Sequence, residues 1–191
     1  MALTFYYAPL STASVTEIIL EELELPCEKV KLKLGEDTKK PDFLALNPNG
    51  KVPVIVHDGQ VVFESAAITL YLGETFGVEK GLWPAPGPAR GEAMKWVVWA
   101  NVTLGMATVV WKNTKDDAEL HRVLGIFDAN LAGKEYLAAN TFSLADAHLN
   151  SFLDWLRFSK VDLSRYSHIA AWSGRVQQRP GYQRWLASMR G

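Results

Sequence analysis

Apolar and polar positions follow two different rhythms along this chain. As far as Phe76, apolar residues come in short runs separated by turn signals, and from Ala89 onward they recur at helical spacing. Leu3 to Tyr7 reads as a short apolar and aromatic strand. Ser14-Val15-Thr16-Glu17 has the form of a capping box, and Ile18, Ile19, Leu20, Leu23 and Leu25 supply the apolar face of the helix it would start. Glu28 to Leu34 sets Val30, Leu32 and Leu34 against Lys29, Lys31 and Lys33, the alternation of a half-buried strand. A short helix is expected over Lys39 to Leu46. Strands are expected over Pro53 to Val56 and Val61 to Phe63, joined by the hairpin signal His57-Asp58-Gly59-Gln60. A helix from Ser65 to Phe76 closes an order β-α-β-α-β-β-α, which fits a thioredoxin-like layer of sheet and helices.

The texture then changes. Gly77, Gly81, Pro84, Pro86, Gly87 and Pro88 crowd into one stretch, which reads as an interdomain linker. Beyond it the strand signals disappear. Ala89 to Lys112 carries Trp96, Trp99, Leu104, Met106, Val110 and Trp111 on more than one side, as expected of a helix in the middle of a bundle. Asp116 to Leu131, Ser143 to Ser159, Ile169 to Gln178 and Tyr182 to Met189 read as further helices. The expected architecture is an α/β thioredoxin-like N-terminal domain (1–77), a linker (78–88) and an all-α C-terminal helical bundle (89–191).

Composition narrows the function more than the fold. Of 191 residues 48% are hydrophobic and 21% charged, ordinary for a globular protein, and the net charge of −1 gives no global field to attract nucleic acid or an anionic membrane. The start of the chain lacks the basic region of a signal peptide, and no apolar run approaches the ~18 residues of a membrane helix. The single cysteine, Cys27, excludes an internal disulfide and fits a reducing compartment, so a cytoplasmic location is expected. Arg175, Arg179, Arg184 and Arg190 make a basic end that reads as a solvated face. The four histidines are scattered without metal-ligand spacing, so no metal is expected; His148 reads as a core histidine with its hydrogen bonds satisfied.

The stretch from Asn47 to Ile55 carries the strongest chemical signal. An Asn-Pro-Asn-Gly turn runs into Lys51-Val52-Pro53-Val54-Ile55, with Pro53 at a strand start where a missing N–H is tolerated. Glu64-Ser65 follows at the start of a helix. A plain hairpin ending in a capped helix accounts for this pattern. So does a backbone edge that pairs with a peptide-like ligand, beside a helix N-terminus suited to a carboxylate. In the turn after the first strand, where a thiol–disulfide enzyme would carry cysteine, stand Ser11, Thr12 and Ser14. One hydroxyl suffices to cap a helix. A further one beside a helix N-terminus can stabilise a bound thiolate. Cys27 lies beyond the first helix and reads as a packing residue.

Taken together, Tyr-Tyr-x-Pro-x-x-hydroxyl, Asn-Pro-x-Gly-Lys-Val-Pro-Val, Glu-Ser before a helix, a Pro/Gly linker and a helical second half resemble the cytosolic glutathione transferase superfamily, in its bacterial or fungal serine- or beta-type form. The resemblance implies a cis bond before Pro53, with the Val52 backbone pairing with the cysteinyl part of glutathione. It implies Glu64 and Ser65 at the γ-glutamyl end, and Lys51 or Lys39 at the glycyl carboxylate. Ser143-Leu144-Ala145-Asp146 is similar to the family's capping box in the core helix of the bundle, a structural motif. Trp99, on the long helix, is the candidate for the second-substrate pocket. At the thiol the frames differ: alignment with cysteine-type bacterial relatives brings Thr12 to the catalytic position, whereas serine-type spacing from Pro9 brings Ser11, which is narrowly preferred.

The function this implies is transfer of glutathione, a co-substrate held as thiolate, to a small hydrophobic electrophile by a homodimer. Alternatives on the same site are a glutathione-dependent lyase, dehalogenase or peroxidase, or a non-enzymatic binding module.

Overall fold

The computed structural model describes residues 2–189; Arg190, read above as part of the basic end, lies outside the described residues. Strand β1 (Leu3–Tyr7) is an inner strand of a four-stranded sheet ordered β2-β1-β3-β4. Strand β2 (Glu28–Lys31) runs parallel to β1, which requires a crossover, and α1 (Ala13–Leu23) provides it. Strands β3 (Val54–His57) and β4 (Gln60–Phe63) complete the sheet antiparallel, with Tyr6 opposite Val54 and His57 opposite Gln60. Asp58 (φ 47°) and Gly59 (φ 87°) form the two-residue turn between them.

Three local expectations are corrected. Strand β2 stops at Lys31, short of Leu34, because β1 ends opposite it at Tyr7 and turns away at Ala8-Pro9; Leu34 is left 57% exposed. The box expected at Ser14–Glu17 does not form. Helix α1 already begins at Ala13, because the Ser11 hydroxyl oxygen accepts the Ala13 N–H (3.2 Å), which puts Ser14 inside the first turn. The helix expected over Lys39 to Leu46 divides into a 3₁₀ turn, Asp37–Lys39, and α2 (Pro41–Leu46), with Pro41 in the first helical turn.

Helix α3 (Ser65–Leu72) widens into a looser turn, Gly73–Gly77. Both glycines make room for Trp83: a Cβ at either would fall within 2.8 Å of that residue. Trp83 is buried and donates its indole N–H to Glu74 (2.8 Å), pinning the segment between the domains.

Helices α4 (Pro88–Trp99) and α5 (Gly105–Thr114) are joined by a wide turn, Ala100–Leu104. Within the stretch Pro88–Thr114 an 18-residue window reaches a mean hydropathy of 1.3, enough by length and composition for a membrane span, contrary to the sequence expectation. Its inner side nevertheless packs into the bundle through Trp96, Val97, Ala100, Leu104 and Ala107, and a bundle's core helix meets the same criterion. Helices α6 (Ala118–Asn130), α7 (Leu144–Phe158), α8 (Ser167–Gln177) and α9 (Pro180–Ser188) complete the helical domain.

Helix α7 is the bundle's core. Its capping box is present: Asp146 accepts from the Ser143 N–H and hydroxyl (both 2.9 Å), from the Leu137 N–H (2.9 Å) and from the Trp172 indole (2.8 Å). Burial pushes the Asp146 pKa up, and these four donors pull against that shift.

The two domains share one continuous core. Helix α1 packs on α7 and α9, where the buried Glu22 carboxylate accepts from the Arg179 guanidinium (2.9 and 3.2 Å) and the Tyr182 N–H (3.2 Å). Gly181 is required at this contact, since a Cβ there would stand 2.6 Å from the Glu22 carboxyl carbon.

Candidate functional site

A cleft of about 430 Å³ opens between the domains. One wall comes from the ends of β1 and α1, the turn before β3, and the start of α3. Of the residues singled out from sequence, Ser11, Thr12, Lys51, Val52, Pro53, Glu64 and Ser65 line it. The Val52–Pro53 bond is cis, and Val52 lies two residues outside the β1–β3 ladder, which starts at Val54. Asn47, read from sequence as the first residue of the turn, holds it: its side-chain N–H donates to the Lys51 carbonyl (2.7 Å) and its side-chain oxygen accepts the Asn49 N–H (3.1 Å). Lys39 does not line the cleft. Its ammonium lies against Gly50, 2.8 Å from where a Cβ would stand, and the rest of the side chain is exposed.

The three hydroxyls after β1 face carbonyl groups. Ser11 donates to the Ala8 carbonyl (2.7 Å) while accepting from Ala13, so the local turn occupies both its functions. Ser14 donates to the Ser11 carbonyl (3.1 Å). Thr12 donates to the neighbouring Val52 carbonyl on the same wall, a long bond of 3.3 Å. Glu64 adopts a left-handed φ of 71°, costly for a residue with a Cβ, and stands exposed at the cleft while Ser65 behind it is buried.

Ser65 is the first residue of α3, and one turn further on the same helix face is Thr69. Both hydroxyls meet the helical domain. The Asn101 side-chain N–H donates to Ser65 Oγ (2.9 Å), Asn101 Oδ1 lies 2.7 Å from His148 Nε2, and His148 Nδ1 lies 2.8 Å from Thr69 Oγ1. Asn101 sits in the wide turn between α4 and α5, a kind of helix defect often found at functional positions. His148 is fully buried, and burial drives its pKa down to about 3.

The facing wall comes from α5 and α7. On α7 a stripe at helical spacing, Ser151, Phe152 and Trp155, turns toward the cleft, with His148 buried one turn before it. Gly105, Met106, Val109 and Lys112 line it from α5, with the Lys112 ammonium 5.3 Å from the Trp155 ring centroid. Among the described residues no carboxylate lies within 4 Å of that ammonium. Trp99 is not part of the wall. It packs in the bundle's aromatic cluster, 5.0 Å from Trp96 and 5.7 Å from Phe127, and the tryptophan in the cleft is Trp155. The sequence reading did not single out Trp155, which shares the cleft-facing side of α7 with Ser151 one turn earlier.

Cys27 is half-buried away from the cleft with its thiol pKa pushed up by burial, the environment of an unreactive packing residue. Among the described residues no group of three or more His, Cys, Asp or Glu side chains is placed to hold a metal ion.

Comparison with known proteins agrees with this anatomy. The sequence model of the glutathione S-transferase N-terminal domain matches residues 1–74, and that of the C-terminal domain matches residues 106–180. The chain is 31% identical to glutathione S-transferase 3 of Zea mays, over 98% of this chain and 94% of the maize protein. Among solved structures it is similar to a glutathione transferase of Methylococcus capsulatus (31% identity, TM-score 0.86, 98% of both chains). It is also similar to a sphingomonad glutathione S-transferase complexed with glutathione (28% identity, TM-score 0.85, 97% of this chain and 98% of the other). The chain belongs to the cytosolic glutathione transferase superfamily.

Proposed function

We propose that this protein binds glutathione along the first-domain wall, holds its sulfur as thiolate, and transfers it to a small hydrophobic electrophile against the α5–α7 wall. The observation that carries this reading is that Val52, outside the β1–β3 ladder, and Ser65, at the start of α3, line one wall of the cleft together. An unpaired strand edge suits the cysteinyl amide of a peptide ligand. A serine at a helix start suits the γ-glutamyl carboxylate, with Glu64 beside it for the ammonium. Lys51 is the cation for the glycyl carboxylate, and Lys39, outside the lining, is the poorer candidate.

For the thiol, the geometry favours Thr12 over Ser11. Ser11 is committed to its own turn, whereas the Thr12 hydroxyl rests on the very carbonyl that the cysteinyl N–H would take. A ligand amide arriving at Val52 leaves the Thr12 hydroxyl to turn toward sulfur, where a donor and the α1 N-terminus both lower the thiol pKa. The thiolate then forms the new carbon–sulfur bond, and the electrophile takes up or expels the electron pair. Catalysis of this kind rests on thiol activation and on holding the two reactants together.

Phe152, Trp155, Met106 and Val109 support an apolar electrophile, and Lys112 suits one that carries or develops negative charge. Val98, Val102 and Val110 stand exposed on the Pro88–Thr114 stretch and support a homodimer, with light scattering expected to report twice 21.3 kDa. Two assays test the reading: glutathione titration by calorimetry, and turnover with chlorodinitrobenzene. Saturable binding together with thioether formation is expected. Binding without turnover on any electrophile would mark a binding module, and absence of binding would overturn the reading.

A further inference from the structure

We propose that His148, through Asn101, sets the direction of the Ser65 hydroxyl, so that Ser65 donates its proton into the cleft and does not accept there. This rests on the glutathione reading above and concerns how the γ-glutamyl carboxylate is recognised.

Three hydrogen bonds join four side chains across three helical segments, Ser65 and Thr69 on α3, Asn101 on the wide turn and His148 on α7, in a ring that the α3 backbone closes. Each link permits one donor and one acceptor. A neutral imidazole has one nitrogen of each kind. Asn101 Oδ1 can only accept, so His148 Nε2, 2.7 Å away, carries the hydrogen. His148 Nδ1 is then the bare nitrogen and accepts from the Thr69 hydroxyl at 2.8 Å. The Asn101 amide nitrogen can only donate, so Ser65 Oγ accepts at 2.9 Å and its own hydrogen is left for the cleft. A carboxylate arriving at the start of α3 meets a donor already pointed at it. The reverse ring would draw the Ser65 hydrogen inward and present a lone pair to the carboxylate.

Burial keeps the ring in one state. His148, Thr69 and Ser65 are all buried, so an imidazolium with two donors is excluded and exchange with water is suppressed. His148 and Thr69 do not themselves line the cleft, so they act on the ligand through Asn101 and Ser65, as positioning residues.

The direct test replaces Asn101 with the isosteric acid. In Asn101→Asp both oxygens accept, and the Ser65 hydrogen is captured by the ring. Glutathione Kd and KM should rise by roughly tenfold or more, while kcat at saturating glutathione and the pH profile of the bound thiol stay at native values. An analogue lacking the γ-glutamyl α-carboxylate should bind native protein and variant equally. The Ser65→Ala/Asn101→Asp double variant should bind no more weakly than Ser65→Ala alone. Full additivity, or a loss confined to kcat, would overturn the proposal.

Should the buried acid unfold the variant, nitrogen NMR of His148 in the native protein reads the same point without mutation. A hydrogen on Nε2 with bare Nδ1 is expected, and the opposite tautomer would overturn the proposal. Native protein that gave the expected tautomer but no glutathione binding would sink the functional reading, and with it the carboxylate as the ring's ligand.

Discussion

The first-domain wall of the cleft is made largely of backbone and of short side chains held by it: the Val52 edge, the Ser65 helix start, the Thr12 and Ser11 turn. The facing wall is made of long side chains, Phe152, Trp155, Met106 and Lys112, projecting from two helices. The first kind of surface recognises an invariant ligand, because its hydrogen-bonding groups are fixed by a sheet register and a helix end. The second discriminates by shape and by one mobile charge, so it can change its ligand by substitution without disturbing the fold. Asn101 belongs to the second domain by sequence but to the first wall by function, since it bonds Ser65.

The sharpest way to break that division is at the first wall. Ser65→Ala should weaken glutathione binding by roughly 1.5–3 kcal/mol, about ten- to a hundredfold, with the KM for the electrophile unchanged. A matching rise in electrophile KM would mean that the walls are not separate, and steady-state kinetics with both substrates varied would detect it.

The first wall was legible in the sequence for a physical reason. Turns, proline at a strand start and hydroxyls at a helix start are local signals, so Val52, Pro53, Glu64 and Ser65 stand out from neighbouring residues alone. The second wall depends on which face of a helix meets a distant cleft. Trp99 and Trp155 have equal claims by composition, and only the packing of the bundle turns the one into the aromatic cluster with Trp96 and Phe127 and the other onto the cleft wall. Trp83 does not stand out because its neighbours read as a linker, although two glycines at Gly73 and Gly77 are the trace of a large group packed against them. The Glu22–Arg179 contact between the domains joins residues far apart in sequence, and nothing local announces it.

The floor shared by the two walls yields the next prediction. The folded state holds His148 neutral with a pKa near 3, below its unfolded value. The unfolded chain therefore binds a proton at mildly acidic pH that the folded chain refuses. This contribution is fully present above the unfolded histidine pKa and is lost as pH falls toward the folded one. Stability should drop by roughly 1 kcal/mol between about pH 7 and pH 5.5, and His148→Gln should be flatter over the same window. Urea unfolding at the two pH values measures it.

Smaller effects sharpen the contrast. Thr12→Ala should raise the pKa of the bound thiol by about one unit and slow turnover about tenfold below that pKa, with Ser11→Ala affecting mainly stability through its cap. The reverse order would return the role to Ser11, and ultraviolet titration of the bound thiolate reads it directly. On the second wall, Lys112→Ala should lower kcat/KM a few-fold for carboxylate-bearing electrophiles and leave uncharged ones unaltered, as expected for an exposed ammonium over an aromatic ring.

Calorimetric titration of native protein and Ser65→Ala with glutathione is the most direct measurement. A single saturable site in the native protein, weakened roughly tenfold or more in the variant, is the predicted result. Equal binding by the two proteins would contradict the placing of the γ-glutamyl carboxylate at the start of α3, and no binding by either would contradict the assignment of this cleft to glutathione.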